Sequence, residues 1–266
     1  RQRQMCIRDS SFSIIAGVDP KVGLFSAFIM AVTIAFVGGR PAMISAATGA
    51  VALVVAPIAR EYGMDYLIAT VLLAGVFQIV LAVLGVAKLM RFIPRSVMVG
   101  FVNSLAILIF SAQIPELIDV PWLVYPLVAL GIVLLVSFPK VTKAIPAPLV
   151  SIVVVTVLVV VCSFSVPTVG DKGELPRSLP ELFIPQVPWT VETLQIIAPV
   201  AIAMALVGLM ESLMTAKLVD EITDTHSNKT RESFGQGVAN IASGLFGGMG
   251  GCAMIGQTMI CLLYTS

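Results

Sequence analysis

Charge is what this chain has least of. Of its 266 residues only 12% are charged and 58% are hydrophobic, whereas soluble domains usually carry about 25% charged residues. That scarcity excludes an ordinary soluble two-layer domain and leaves a chain suited to lipid. The formal net charge of +1 supplies no basic field for nucleic acid, so no nucleic-acid partner is expected, and the 15 acidic residues are scattered rather than gathered in a tail. Histidine occurs once, as His226 in a polar stretch. The four cysteines, Cys6, Cys162, Cys252 and Cys261, have no short metal-ligand spacing and are expected as free thiols. A zinc-hydrolase HExxH motif, a phosphate-binding GKS/T motif and paired cysteines are all missing. An enzyme, a structural metal site and a bound cofactor are therefore not expected. No secretory signal is expected either, because the first apolar piece, FSIIAG, is short and wrongly flanked.

What the chain has in abundance is apolar runs, several of them near the roughly 20 residues that cross a bilayer as a helix. They include VGLFSAFIMAVTIAFVGG, YLIATVLLAGVFQIVLAVLGVAKLM, SVMVGFVNSLAILIFSAQI, WLVYPLVALGIVLLVSF and LVSIVVVTVLVVVCSFSV. The last is rich in β-branched residues, but its length favours a helix in lipid, where unpaired backbone costs several kcal/mol. LQIIAPVAIAMALVGLMESLMTAKL carries Glu211 inside it, VDEITDTHSNKTRE is expected as a polar loop, and SFGQGVANIASGLFGG as a small-residue helix able to pack closely. Both ends read as foreign to what lies between them, so residues 1–10 and 261–266 are set apart. Between them the apolar spans fall in 11–93, 94–167 and 194–260, with 168–193 as a proline-rich external loop and Pro167 at its edge. Eight basic residues (Lys88, Arg91, Arg95, Lys140, Lys143, Lys217, Lys229 and Arg231) fall on one side, against Lys21, Arg60, Lys172 and Arg177 on the other, which makes the first side cytoplasmic. The expected setting is a multi-pass protein of the cell inner (plasma) membrane.

Two polar interruptions stand out. GGRPAMISAATGA, residues 38–50, is echoed by GGMGGCAMIGQTM, residues 247–259; aligning AMIS at 42–45 with AMIG at 253–256 suggests an internal repeat. An interrupted helix leaves backbone N–H groups free at a half-helix N-terminus, where partial positive charge holds an anion without a charged side chain. Ser45, Ala46, Ala47, Thr48 and Gly49 would make one such terminus, with Gly38, Gly39 and Pro41 letting the backbone approach and starting the half-helix. Gly256, Gln257 and Thr258 would make the other. Glu211 is an ionisable group in an apolar span, a functional position by default. Thr215 lies four residues on, on the same helical face, so that the pair could bind Na⁺ or the carboxyl could carry H⁺. Arg40 could draw an anion inward or sit in a vestibule, Glu232 reads as a helix-start charge, and Asn103 and Asn240 as interhelical hydrogen-bonding groups.

Over residues 12–260 the chain resembles the SulP family of anion permeases, the group related to the solute carrier 26 transporters. The stretches that carry the likeness are FSIIAGVDPKVGLFSAF, FVGGRPAMISAATGAVALVV, VGLMESLMTAKLVDEITDT, GQGVANIASGLFGG and GGCAMIGQTMI, in that order. The resemblance implies an all-α polytopic membrane protein, part of a 7+7 transmembrane-segment inverted repeat whose short broken helices meet at mid-membrane. This chain would run from late segment 1 to early segment 10, with 11–93 as a first core half, 94–167 as gate segments 5–7 and 194–260 as a second core part, and with later segments and a cytoplasmic STAS domain following in the family. It further implies a secondary active transporter of an inorganic oxyanion, sulfate or bicarbonate, coupled to Na⁺ or H⁺ and working by alternating access, with a homodimer of the full-length protein as a partner state. The anion would lie between Ala46, Ala47 and Thr48 on one wall and Gly256, Gln257 and Thr258 on the other. Glu211 and Thr215 match a sodium-binding pair of bicarbonate members, although those carry aspartate at the acid. Gln257 stands where many animal exchangers place arginine. A nucleobase–cation symporter of similar architecture and a non-transporting membrane fragment are the alternatives.

Overall fold

The computed structural model describes residues 2–88, 95–118, 120–141, 147–168, 171, 180–188 and 190–265. Arg91, Lys143, Lys172 and Arg177, used above for orientation, lie outside them, as does part of the external loop. Among the described residues ten helices and two short strands follow in order: α1 Gln2–Ala16, α2 Pro20–Val37, β1 Ser45–Ala46, α3 Gly49–Tyr62, α4 Met64–Val83, α5 Arg95–Gln113, α6 Val124–Val141, α7 Ala147–Val161, α8 Val191–Thr223, α9 Lys229–Leu245, β2 Cys252–Ala253 and α10 Ile255–Thr265. A 3-10 turn, Ile114–Leu117, extends α5. Four of the helical stretches (Pro20–Val37, Met64–Val83, Val99–Leu117 and Val191–Thr223) are long and apolar enough to cross a membrane. Neither α1 nor α10 breaks at residue 10 or 261, so the ends set apart above do not coincide with element boundaries.

Local chemistry explains where the helices start and stop. Pro20 opens α2 at a position where its missing N–H costs nothing. Thr48 caps α3, its hydroxyl accepting from Val51 N, and Gly63, at φ +83°, ends it. Thr190 caps α8 in the same way and Asn228 caps α9. Arg231 donates to the carbonyls of Phe36 and Val37, placing a cation at the C-terminus of α2.

The core is built by α2, α4, α8 and α9, with α3 packed on α1, α4 and α8. Met30, Val51, Val55, Leu67, Val71, Met204, Ala205 and Met249 are buried there. The tightest packing joins α4 to α9. A Cβ on Gly237 would stand 2.8 Å from the Gly75 carbonyl, and one on Gly75 2.8 Å from the Gly237 carbonyl. The two backbones therefore touch, as a small-residue helix allows. In contrast, none of the apolar window of α5 is buried while half of that of α4 is, and α6 and α7 pack chiefly against each other. Residues 180–188 lie across one end of the core, where Gln186 N donates to Asp65 at 2.9 Å and Phe183 N to the Leu245 carbonyl at 2.7 Å.

Two expectations need correction. The stretch VDEITDTHSNKTRE is not all loop: α8 runs 33 residues to Thr223, stopping where Asp224 takes the left-handed conformation at φ +49°, and α9 begins at Lys229. Nor does Pro41 start a half-helix. It sits in a turn with Ala42 at φ +63°, the chain then runs extended through β1, and α3 starts only at Gly49 once the Thr48 hydroxyl is available as its cap.

Candidate functional site

The two interruptions come together as a pair of chain crossings. β1 and β2 are antiparallel, Ser45 opposite Ala253 and Ala46 opposite Cys252. Met254 N adds a bond to the Ile44 carbonyl at 2.8 Å. Each strand feeds a helix: β1 leads into α3, which at 14 residues is shorter than a full span, and β2 leads into α10. Their starts are tied reciprocally. The Thr48 hydroxyl at the start of α3 lies 3.1 Å from Cys252 Sγ, and the Thr258 hydroxyl in the first turn of α10 accepts from Ile44 N at 3.1 Å. Strand on strand sets Ser45 with Cys252 and helix start on helix start sets Gly49 with Ile255, a correspondence different from the AMIS/AMIG alignment, in which Ala42 meets Ala253.

Of the expected anion-site residues, Thr48 and Gly49 lie at the start of α3, and Gly256, Gln257 and Thr258 in the first turn of α10. The first N–H groups of each helix have no intrahelical acceptor, and here both sets belong to helix starts brought together by one strand pair. Ser45, Ala46 and Ala47 precede the terminus rather than form it. Ala46 and Ala47 are fully buried, and the Ser45 hydroxyl accepts from Gln236 Nε2 at 2.7 Å. Among the described residues, Gln257 Nε2 is buried without a hydrogen-bond partner. A Cβ on Gly251 would stand 2.0 Å from the Ala46 carbonyl oxygen, so only glycine lets the crossings approach this closely.

Glu211, on α8, reaches this pair of crossings: Cys252 Sγ donates to its Oε2 at 2.9 Å. Ser212, beside it, accepts from Ala253 N at 3.0 Å. Thr215 is fully buried, and its hydroxyl donates to the Glu211 backbone carbonyl at 2.8 Å rather than to the carboxylate. Arg40 is drawn to the end of α8. Its guanidinium is buried there, pairing with Asp220 at 3.3 Å and donating to Thr225, Thr223 and the Val219 carbonyl. Those partners engage both terminal nitrogens, while Nε is buried without a hydrogen-bond partner. Glu232 lies in the first turn of α9, as expected of a helix-start charge. It is fully buried, its Oε2 accepting from Gly39 N at 2.8 Å and its Oε1 from Gln236 at 2.9 Å. Asn240 bridges as expected, to Gln78 Oε1 at 2.8 Å and to both backbone groups of Gly251, whereas Asn103 is exposed on α5.

Sequence reasoning missed Cys252, Gln236, Gln78 and Ser212. The one available signal was their place on small-residue or polar-dotted stretches; their partners come from other helices. Cys252 is a free buried thiol and Cys162 a free exposed one, while the side chains of Cys6 and Cys261 lie outside the described residues. Among the described residues no cluster of three or more His, Cys, Asp or Glu could hold a metal ion.

A polytopic chain organised around two opposed helix starts is the architecture of a membrane transport domain, and comparison with known proteins agrees. The sequence profile of the sulfate permease family matches residues 6–124 and 118–262. YbaR of Bacillus subtilis (strain 168), whose name assigns it provisionally to sulfate transport, is 54% identical over 249 residues, covering 94% of this chain and 52% of its own. The bicarbonate transporter BicA of Picosynechococcus is 28% identical over 286 residues, covering 94% and 50%. Among solved structures, the transmembrane domain of a cyanobacterial bicarbonate transporter BicA superposes with a TM-score of 0.84 at 23% identity, over 99% of this chain and 75% of that one. The murine anion transporter Slc26a9 in its inward-facing state gives 0.77 at 16% identity, over 99% and 52%. The chain belongs to the sulfate permease family and has the fold of these transmembrane domains. It spans about half the length of the curated relatives it matches. Those relatives and structural neighbours are transporters, not enzymes.

Proposed function

We propose that the full-length protein carrying this segment is a secondary active transporter of an inorganic oxyanion, sulfate or bicarbonate, in the cell membrane. The observation that carries the reading is the strand pair that sets the N-termini of α3 and α10 together, with Glu211 reaching it through Cys252. The anion would sit between the first N–H groups of α3 and those of α10, where helix-end partial charge and directed donors favour it. Thr48, Gly49, Gly256 and Thr258 would line that place, and Gln257 Nε2, buried without a partner, would gain an acceptor when the anion arrives. Ser45, Ala46 and Ala47 would form its wall through the strand.

Glu211 would take up the coupling cation, H⁺ or Na⁺, as a transported species, with Thr215 holding the helix backbone beside it. The contrast between the buried α2–α4–α8–α9 body and the exposed α5–α7 supports two parts that move against each other in alternating access. A homodimer belongs to the same proposal. Membership of the sulfate permease family counts against the nucleobase–cation alternative.

Reconstituted full-length protein tests this. Labelled sulfate or bicarbonate should accumulate in liposomes under an imposed H⁺ or Na⁺ gradient, and Glu211→Gln should abolish accumulation. Uptake of neither anion overturns the substrate reading and leaves a non-transporting membrane protein. Undiminished accumulation in Glu211→Gln removes Glu211 from coupling.

A further inference from the structure

Cys252 closes a chain of three side chains between the two functional positions. Its Sγ is 2.9 Å from Glu211 Oε2 and 3.1 Å from Thr48 Oγ1, and Thr48 Oγ1 is 3.4 Å from Val51 N in the first turn of α3. Thr48 and Cys252 are buried. Among the described residues, Cys252 is the one side chain that hydrogen-bonds the Glu211 carboxylate.

The number of hydrogens available sets the direction of this chain. An ionised carboxylate only accepts, a thiol has one hydrogen, and a hydroxyl has one hydrogen and two lone pairs. With Glu211 ionised, the thiol hydrogen points to the carboxylate. The bond between Cys252 and Thr48 is then made with the hydroxyl's hydrogen, so Thr48 turns only lone pairs toward anything at the start of α3. A cation on Glu211, whether a proton or a metal ion, weakens that carboxylate as an acceptor. The thiol can then turn and donate to Thr48 Oγ1, which frees the hydroxyl hydrogen to join the backbone N–H groups at the helix start. No covalent bond changes; two hydrogens rotate.

We infer that Cys252 is a positioning residue that couples cation occupancy at Glu211 to the donor capacity of Thr48 at the anion site. The inference rests on the transport reading above and concerns the regulation of that same site. Coupling of this kind is reciprocal, so the anion would tighten the cation by the same factor.

The test uses the full-length protein, with whichever of sulfate or bicarbonate the wild type carries, and reads the binding constant of that anion with the coupling cation at saturating and at low concentration, low meaning raised pH when the cation is H⁺. Wild type should bind the anion about ten-fold more tightly at saturating cation, within the usual range of coupling. In Cys252→Ala that ratio should fall to within about two-fold while transport persists, and Cys252→Ser, which keeps one donor and its lone pairs, should restore most of it. A purely structural role for the thiol would alter stability or the maximal rate and leave the ratio intact. Should Cys252→Ala not fold, Thr48→Val, which leaves Cys252 in place, should show the same collapse. A wild-type ratio near one, or a wild-type ratio retained in Cys252→Ala or, failing that, in Thr48→Val, overturns the inference while leaving anion transport standing. Absence of uptake by the wild type takes down the transport reading and this inference with it.

Discussion

The two crossings at the centre of the molecule have the same form and are held by different chemistry. The first, from Gly38 to Thr48, is fastened by charged groups: Glu232 takes Gly39 N, and Arg40 locks onto Asp220 and the end of α8. The second, from Gly247 to Met254, has its backbone fastened by neutral ones: Asn240 takes both backbone groups of Gly251, Ser212 takes Ala253 N, and the Ser26 hydroxyl donates to the Gly250 carbonyl at 2.9 Å. Its one carboxylate contact, Glu211, is made by the Cys252 side chain. The difference follows the surroundings of each backbone. Arg40 and Glu232 lie beside the polar connection between α8 and α9, where Lys229 also pairs with Asp220 at 2.9 Å. The Asn240 cluster lies among Met204, Val71 and the Gly75–Gly237 contact, where a bare charge would be costly.

The comparison can be broken first at its tightest point. Gly251→Ala places a methyl 2.0 Å from the Ala46 carbonyl; the expected loss is about 4 kcal/mol or more, the range reserved for severe overpacking. Fluorescence-detected size exclusion should show little folded protein. Gly39→Ala also meets backbone, with Asn228 O at 2.3 Å, but beside a connection that can shift, and it should retain a folded peak at lower melting temperature. A Gly251→Ala protein as stable as wild type would mean the crossings are not held as closely as described.

Next in size is Asn240→Leu, which strands the N–H and C=O of Gly251 and the side chain of Gln78. Each unsatisfied buried group costs about 1–3 kcal/mol, so the melting temperature should fall well below that of Glu232→Gln. That second variant keeps an acceptor for Gly39 N and should cost about 1 kcal/mol. Equal melting temperatures would erase the distinction between a charge-held and an amide-held crossing. Arg40→Lys should have a smaller effect than Asn240→Leu, about 1–2 kcal/mol, because an ammonium keeps the Asp220 pair and loses the forked contacts to Thr223 and Thr225; anion KM should stay within about two-fold of wild type if Arg40 serves as a fastening rather than an attractor. The smallest structural effect belongs to Thr258→Val, which loses one bond to Ile44 N, about 1 kcal/mol. Its anion KM should rise less than that of Thr48→Val, since only Thr48 is tied to Glu211.

Much of this was legible in the sequence. Hydrophobic length set the helices, the glycines of SFGQGVANIASGLFGG pointed to close helix contact, and the polar interruptions marked both crossings. Glu211 stood out because an ionisable group in an apolar span needs a reason. What stayed hidden has a common physical cause. Proline is a common first residue of a helix, so Pro41 looked like a start; only the cap made by the Thr48 hydroxyl shows that α3 begins later. The AMIS/AMIG match suggested a repeat in a register different from that of the strands and helix starts, because small-residue sequence constrains alignment weakly. The burial of Glu232, the anchoring of Arg40 and the place of Cys252 between Thr48 and Glu211 depend on which helix packs on which, and local spacing does not encode that.

The reciprocal ties at the helix starts have one more consequence. Because Thr48 grips the second crossing and Thr258 the first, neither half-helix can be drawn aside without dragging its counterpart. The two crossings are therefore one sealed parcel. Under the proposed alternating access, the parcel would be carried whole, and the seam that opens would lie around it, where α5, α6 and α7 pack loosely, rather than through it.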